Sequence, residues 1–302
     1  MKTLLAACLV FAWQTGPAHA DAGNGPTPDV VLGNDISWPQ CGGRLPAPPE
    51  FAVVGVNGGR PGTVNPCLAE QLAWADRTSE AAGGTPAAVY VNTAAPGPEG
   101  TLWWPEDNTY RGMVITNPYG TCDGAASVAC AYVHGYAMAV ADVAILKEAG
   151  DTAVRPMWWL DVEFGNSWPW DKAVNVAELE GMTAYLEGTG AEVGIYSTGY
   201  QFGEIVGDIP PGSNLYKLRN WLAGADSVSS AQEHCAAAPL TGGGTVSLTQ
   251  FTENNLDYNY RCPAAAPVPA PVPVPEPVPR PDPQPGKARL DLYSRLQAAQ
   301  IA

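Results

Sequence analysis

The stretch RPMWWLDVEFGNSW, residues 155–168, decides how the rest of the chain is read. Arg155 and Pro156 open it, four apolar residues follow, and two carboxylates, Asp161 and Glu163, stand one residue apart at its end. Read as a strand, the segment alternates faces, so Asp161 and Glu163 project from one side and Val162 from the other. Like charges this close oppose each other's ionisation and are unfavourable in an interior unless chemistry uses them. Structural ion pairing is the plain alternative, and only Arg155 and Lys172 lie close enough in sequence to provide it.

Outward from this segment, apolar strand-like runs alternate with helical ones. DVVLGNDIS (29–37) and FAVVGVNGG (51–59) read as strands. Residues 65–84 read as a helix, with Pro66 early and Gly83-Gly84 as its stop. AAVYVNT (87–93) precedes a long helix over 129–150, for which Gly150 supplies the C-terminal cap. After residues 155–163 come a helix over 172–187 and the strands EVGIYST, NWLAGA and TVSLTQFT. Such alternation implies a parallel sheet. A body of roughly 230 residues over 30–262 suits one α/β barrel. The connections shorten in the second half, which predicts an irregular TIM-like (β/α) barrel of about eight strands with fewer helices than strands.

The flanks differ in character. Lys2, an apolar run over 4–13 and Ala18-His19-Ala20 make residues 1–20 an expected export signal, too short to span a bilayer. No later segment is expected to insert in a membrane, so the protein is expected to be secreted, extracellular or held in a cell wall. Over 263–286, proline recurs at every second position for much of the length. That pattern predicts an extended linker, reaching roughly 60 Å at about 3.1 Å per residue, or a ligand for a proline-binding partner. Residues 287–302 form a short tail, read either as frayed or as a marginal amphipathic helix.

Loss of the signal removes Cys8 and leaves Cys41, Cys67, Cys122, Cys130, Cys235 and Cys262. An even number in an oxidising compartment reads as three disulfides. Spacing leaves the connectivity open; sequential pairing (41 with 67, 122 with 130, 235 with 262) closes short loops and is the expectation. The lack of a C-x-x-C pair and the scarcity of histidine argue against a metal, and no cofactor motif is present. With 15 basic against 30 acidic residues and a formal charge of −15, nucleic acid is not an expected partner.

Working residues of such barrels stand where strands finish. Asp35 ends the first strand, Asp161 and Glu163 end the middle one, and Asp257 and Asn259 follow the last. Taken alone, Asp35 also reads as a turn cap and Asp257 as a loop acid. Together, clustered carboxylates without histidine or metal suit glycoside hydrolysis, in which one acid protonates the leaving oxygen and others stabilise a cationic transition state. Glu163 has the longer reach and is the expected general acid; Asp161 would tune it and orient the substrate. Eight tryptophans fall near strand ends or in loops: Trp38, Trp103, Trp104, Trp158, Trp159, Trp168, Trp170 and Trp221. Flat rings of this kind stack on pyranose faces, although at least one of Trp158 and Trp159 belongs to the core. No G-x-S-x-G nucleophile motif occurs, and His134 reads as structural.

The order NDISWPQ, WWLDVE, VGIYSTGYQF, NWLAGA, LTQFTENNLDYNY resembles the lysozymes of glycoside hydrolase family 25, the Ch-type N-acetylmuramidases. The resemblance covers about 30–262 and implies an irregular eight-stranded barrel. By it, Glu163 is the general acid, Asp161 its partner, and Asp35 and Asp257 complete the acidic cluster. Tyr196 and Gln250 would line the site, and Trp38, Trp221 and Asn259 would contact substrate. The implied reaction is cleavage of the β-1,4 bond of peptidoglycan. The chain departs from the family pattern in strand two, in strand three and at Thr249-Gln250, so two alternatives stay open: hydrolysis of another wall polysaccharide, or a catalytically silent glycan-binding protein on the same scaffold.

Overall fold

The computed structural model describes residues 30–151 and 155–264. The expected export signal, the short tail and nearly all of the proline-rich linker lie outside the described residues. In chain order the elements are β1 (Leu32–Ile36), β2 (Phe51–Gly55), α1 (Leu68–Ala75), α2 (Ser79–Ala82), β3 (Ala88–Asn92), β4 (Thr109–Tyr110) and β5 (Met113–Val114). Then follow α3 (Val128–Glu148), β6 (Met157–Asp161), α4 (Lys172–Gly188), β7 (Glu192–Ser197), α5 (Gly199–Ile205), β8 (Arg219–Ala225), α6 (Val228–His234), β9 (Thr245–Glu253) and β10 (Leu256–Arg261).

Eight strands close a barrel in the order β1-β10-β9-β8-β7-β6-β3-β2, and β4 and β5 form a separate hairpin. All neighbours are parallel except at β10, which runs antiparallel to both β9 and β1. The expected irregular barrel is therefore present, with six helices to eight barrel strands among the described residues. The sequence pattern predicts Asp257 and Asn259 just past the last strand. They lie instead on β10, reached through a two-residue turn in which Asn254 and Asn255 both have positive φ (52° and 61°). A two-residue loop with both residues left-handed matches the strand twist, and asparagine tolerates it. Asn-Asn between two apolar runs is the sequence signal for this turn.

Alternation along β6 sorts its side chains into two buried layers. Trp158 and Leu160 pack outward with the helices, in a cluster that includes Val54, Val89, Leu179 and Met182. Trp159 points into the barrel with Phe51, Val53, Trp221 and Leu248. Both tryptophans are core, 2% and 3% exposed, in keeping with the expectation of at least one. Interior bulk is balanced by glycine: a Cβ on Gly194 would sit 2.4 Å from the Trp159 ring.

The expected helix over 65–84 is two helices, because Thr78 breaks from helical geometry and caps α2 by accepting from Ala81 N at 3.2 Å. Helix α3 ends as expected, with Gly150 at φ 87° just past its C-cap. By length and composition α3 could cross a bilayer, contrary to the reading that no later segment qualifies. Here it packs against α4 and holds His134 and Asp142 among its buried residues. The two helices approach closely because each presents a glycine. A Cβ on Gly181 would lie 2.0 Å from the Tyr132 carbonyl oxygen, and one on Gly135 would lie 1.9 Å from that of Glu178. Gly181→Ala must push backbone apart, so it is expected to cost about 3 kcal/mol. Thermal melting checks this, with a Tm lower by roughly 6–12 °C.

The disulfides pair as expected: Cys41–Cys67, Cys122–Cys130 and Cys235–Cys262. The last fastens the end of α6 to the residue after β10, beside the strand that closes the barrel.

Candidate active site

A cleft of about 480 Å³ opens where the parallel strands finish. Asp35 reaches it from β1, Asp161 and Glu163 from β6 and the residues beyond it, and Asp257 from β10. Strand pairing brings the first and last of these together. Asp35 and Asp257 are directly opposed on the antiparallel β1 and β10, so two acids distant in sequence share one rung. Among the described residues, none that lines the cleft is basic.

Asp35 is buried, and its Oδ1 accepts from Gln250 Nε2 at 3.0 Å and Asn259 Nδ2 at 2.8 Å. Burial first, and the Asp257 carboxylate second, push its pKa up to about 7, while the two amides pull it back. Asn259, expected to touch substrate, is fully buried behind this carboxyl and does not line the cleft. It orients Asp35 instead. Gln250 links two walls of the site, because its Oε1 accepts from the Tyr196 hydroxyl at 2.7 Å while its amide donates to Asp35. Burial and the surrounding carboxylates raise the Tyr196 pKa well above the ordinary tyrosine value, which keeps the hydroxyl a donor.

Asp161 is also buried. Its Oδ2 accepts from Asn92 Nδ2, and its Oδ1 finds no amide or hydroxyl donor among the described residues. Burial, then the charge of Glu163, then that of Asp35 raise its pKa well above the usual carboxylate range. A hydrogen bond with the Glu163 carboxyl raises it further. Glu163 itself is partly exposed, accepts from Gln201 Nε2 at 3.4 Å, and stands in a loop braced by Trp168 Nε1 donating to its carbonyl at 2.9 Å.

The aromatic walls divide by exposure. Trp38 stands at the rim, 49% exposed. Trp221 lines the floor but is only 1% exposed, its ring held edge-on by Tyr196 at 4.5 Å and Trp159 at 5.6 Å. A stacking face is not available there; its Nε1–H, without a partner among the described residues, is what it can offer. Trp103 and Trp104 pack on His134 instead, and Trp170 is fully exposed away from the cleft lining. His134 is buried between α3 and α4, with Nδ1 2.8 Å from Glu178 Oε1. Among the described residues no group of three or more His, Cys, Asp or Glu side chains is placed to hold a metal ion.

Three participants escaped the sequence reading. Tyr90 and Asn92 stand at i and i+2 on β3 and both line the cleft; the strand-end rule that found the acids applies equally to them. Gln201 comes from α5 and has no sequence mark. Asn92 is itself clamped, because the Asn57 side chain accepts from its backbone N at 3.1 Å and donates to its carbonyl at 3.0 Å. Asn92→Ala removes the donor that favours ionised Asp161. It is expected to raise the pKa of Asp161 further, which carboxyl carbon-13 NMR reads directly.

Such a barrel, with acids converging at the C-terminal mouth, defines a candidate glycosidase scaffold. The chain is similar to the "Probable GH family 25 lysozyme 4" of Dictyostelium discoideum, 31% identical over 105 residues, which is 35% of this chain and 46% of that protein. It is also 32% identical over 122 residues to the "Lysozyme-like protein 5" of Caenorhabditis elegans, covering 38% of this chain and 53% of that one. The chain thus spans about half the length of the curated relatives it matches. No family model matches it. Among solved structures, a family GH25 lysozyme from Aspergillus fumigatus aligns over 78% of this chain and 95% of its own, with 15% identity and a TM-score of 0.47.

Proposed function

We propose that this barrel belongs to an exported glycosidase that hydrolyses cell-wall glycan, cutting the β-1,4 bond of peptidoglycan. One observation carries the reading: four carboxylates from three separate parts of the chain meet in one cleft that no basic side chain lines among the described residues. An unneutralised acidic cleft favours a substrate that becomes cationic at its transition state, as a glycosyl group does. Glu163, at the mouth and beside Asp161, donates to the leaving oxygen. Asp161, buried and fixed by Asn92, orients the acetamido group, whose oxygen attacks the anomeric carbon in place of a protein nucleophile. Asp35 and Asp257 add negative charge around the developing oxocarbenium ion. The likeness to a probable GH family 25 lysozyme and to a lysozyme-like protein supports the substrate class, and three disulfides suit an oxidising compartment. The test is release of reducing ends from purified cell wall by wild type and Glu163→Gln.

A further inference from the structure

Outside the cleft lining, next to Glu163, two aromatic rings face solvent together. Phe164 is 52% exposed and Tyr200 72%, and their rings meet edge to face at 5.8 Å and 82°. Neither is placed by accident of a loose loop. The Glu163 carbonyl accepts from Trp168 Nε1 at 2.9 Å and Asn166 N at 3.3 Å. The Phe164 N–H donates to Gln201 Oε1 at 2.8 Å. Gln201 follows Tyr200 in the first turn of α5, which Thr198 caps by accepting from Gln201 N at 3.1 Å. The same Gln201 side chain donates to Glu163 Oε1. One amide therefore ties together the loop carrying Phe164, the helix carrying Tyr200 and the carboxyl at the mouth of the cleft.

Taking the cleft as a glycosidase site, we propose that Phe164 and Tyr200 form an outer sugar subsite, which holds a further pyranose of the same glycan chain beyond Glu163. A pyranose presents apolar C–H faces flanked by hydroxyls. Phe164 offers the flat apolar surface, and Tyr200 adds a ring and a hydroxyl. Two rings are far too small a patch for a protein interface, which needs roughly 800 Å² from each partner. The platform is continuous with the cleft, since Glu163, Gly165 and Asn166 on either side of Phe164 line it. A chain threaded through the cleft would leave across these rings.

The test uses peptide-free glycan strands of graded length, with Phe164→Ala, Tyr200→Ala, the double variant, and Leu102→Ala as a fully exposed apolar control. On long strands KM is expected to rise roughly 3- to 10-fold in each ring variant, the range of one aromatic contact, with kcat unchanged. On the shortest strand cleaved, and for the control on any strand, no change is expected. Equal effects on short and long strands, or none, overturn the subsite. Calorimetric binding of long strands to the Glu163→Gln chain, with and without Phe164→Ala, separates this from the hydrolase reading. Ring-dependent binding by a wild type that cleaves nothing removes the hydrolase and keeps the subsite. Cleavage indifferent to the rings removes the subsite alone. A chain that neither binds nor cleaves removes both.

Discussion

Glu163→Gln is expected to lower the release of reducing ends from purified peptidoglycan by roughly 10²- to 10⁴-fold, the usual contribution of a general acid. The loss should fall on kcat, with KM nearly unchanged, because the group acts on a proton that moves only as the bond breaks. Glutamine keeps the shape and still accepts from Gln201, and the site is at the mouth rather than in the core. The melting temperature should therefore stay close to that of the wild type. The substitution also removes the partner that raises Asp161 through charge and hydrogen bond, so Asp161 should ionise at lower pH in the variant. Equal release by both proteins would exclude the proposed hydrolase. Glycan binding without cleavage by either would select the silent binding protein instead.

The second large effect concerns stability. Asp142 is buried on α3, 2% exposed, with the Asn57 amide as a donor and no partner for Oδ2 among the described residues. Burial raises its pKa to about 8, against the partial pull of Asn57. The unfolded chain releases this proton near pH 4, so between about pH 4 and 8 the folded state binds more protons than the unfolded one. By linkage, stability must fall as pH rises through that window. Asp35, raised to about 7, contributes with the same sign. The expected melting temperature is therefore higher near pH 5 than near pH 8. Asp142→Asn, which mimics the neutral acid, should flatten the slope and gain on the order of a few kcal/mol at pH 8. That corresponds to roughly 5–10 °C in Tm. Melts of both proteins across pH 4–8 check it, and parallel curves would show that Asp142 carries no linked proton.

Asn57 connects the two predictions. It holds Asn92, which holds Asp161, and it also faces Asp142. The buried carboxyl therefore lies beneath the scaffold of the candidate site.

Much of this was legible in residue order. Period-two alternation in WWLD sent Trp158 and Trp159 to opposite layers and placed Asp161 on the inner face, because a strand allows nothing else. The strand-helix rhythm implied a barrel, and acids at strand ends implied where its chemistry would stand. Short spacing between successive cysteines favoured the disulfides found. These features depend on local geometry, which neighbouring residues dictate.

Contacts across long sequence distances are different. Asp35 meets Asp257 only because β10 inserts antiparallel beside β1, closing a loop of more than two hundred residues through a turn of two asparagines. Asn259 became a hidden support rather than a wall for the same reason. Which face of α3 met the barrel decided that Asp142 would lose its water, and Gln201 reached Glu163 only because α5 begins beside the mouth. Burial and charge coupling depend on distances among residues far apart in the chain, and only closure of the barrel brings those residues together.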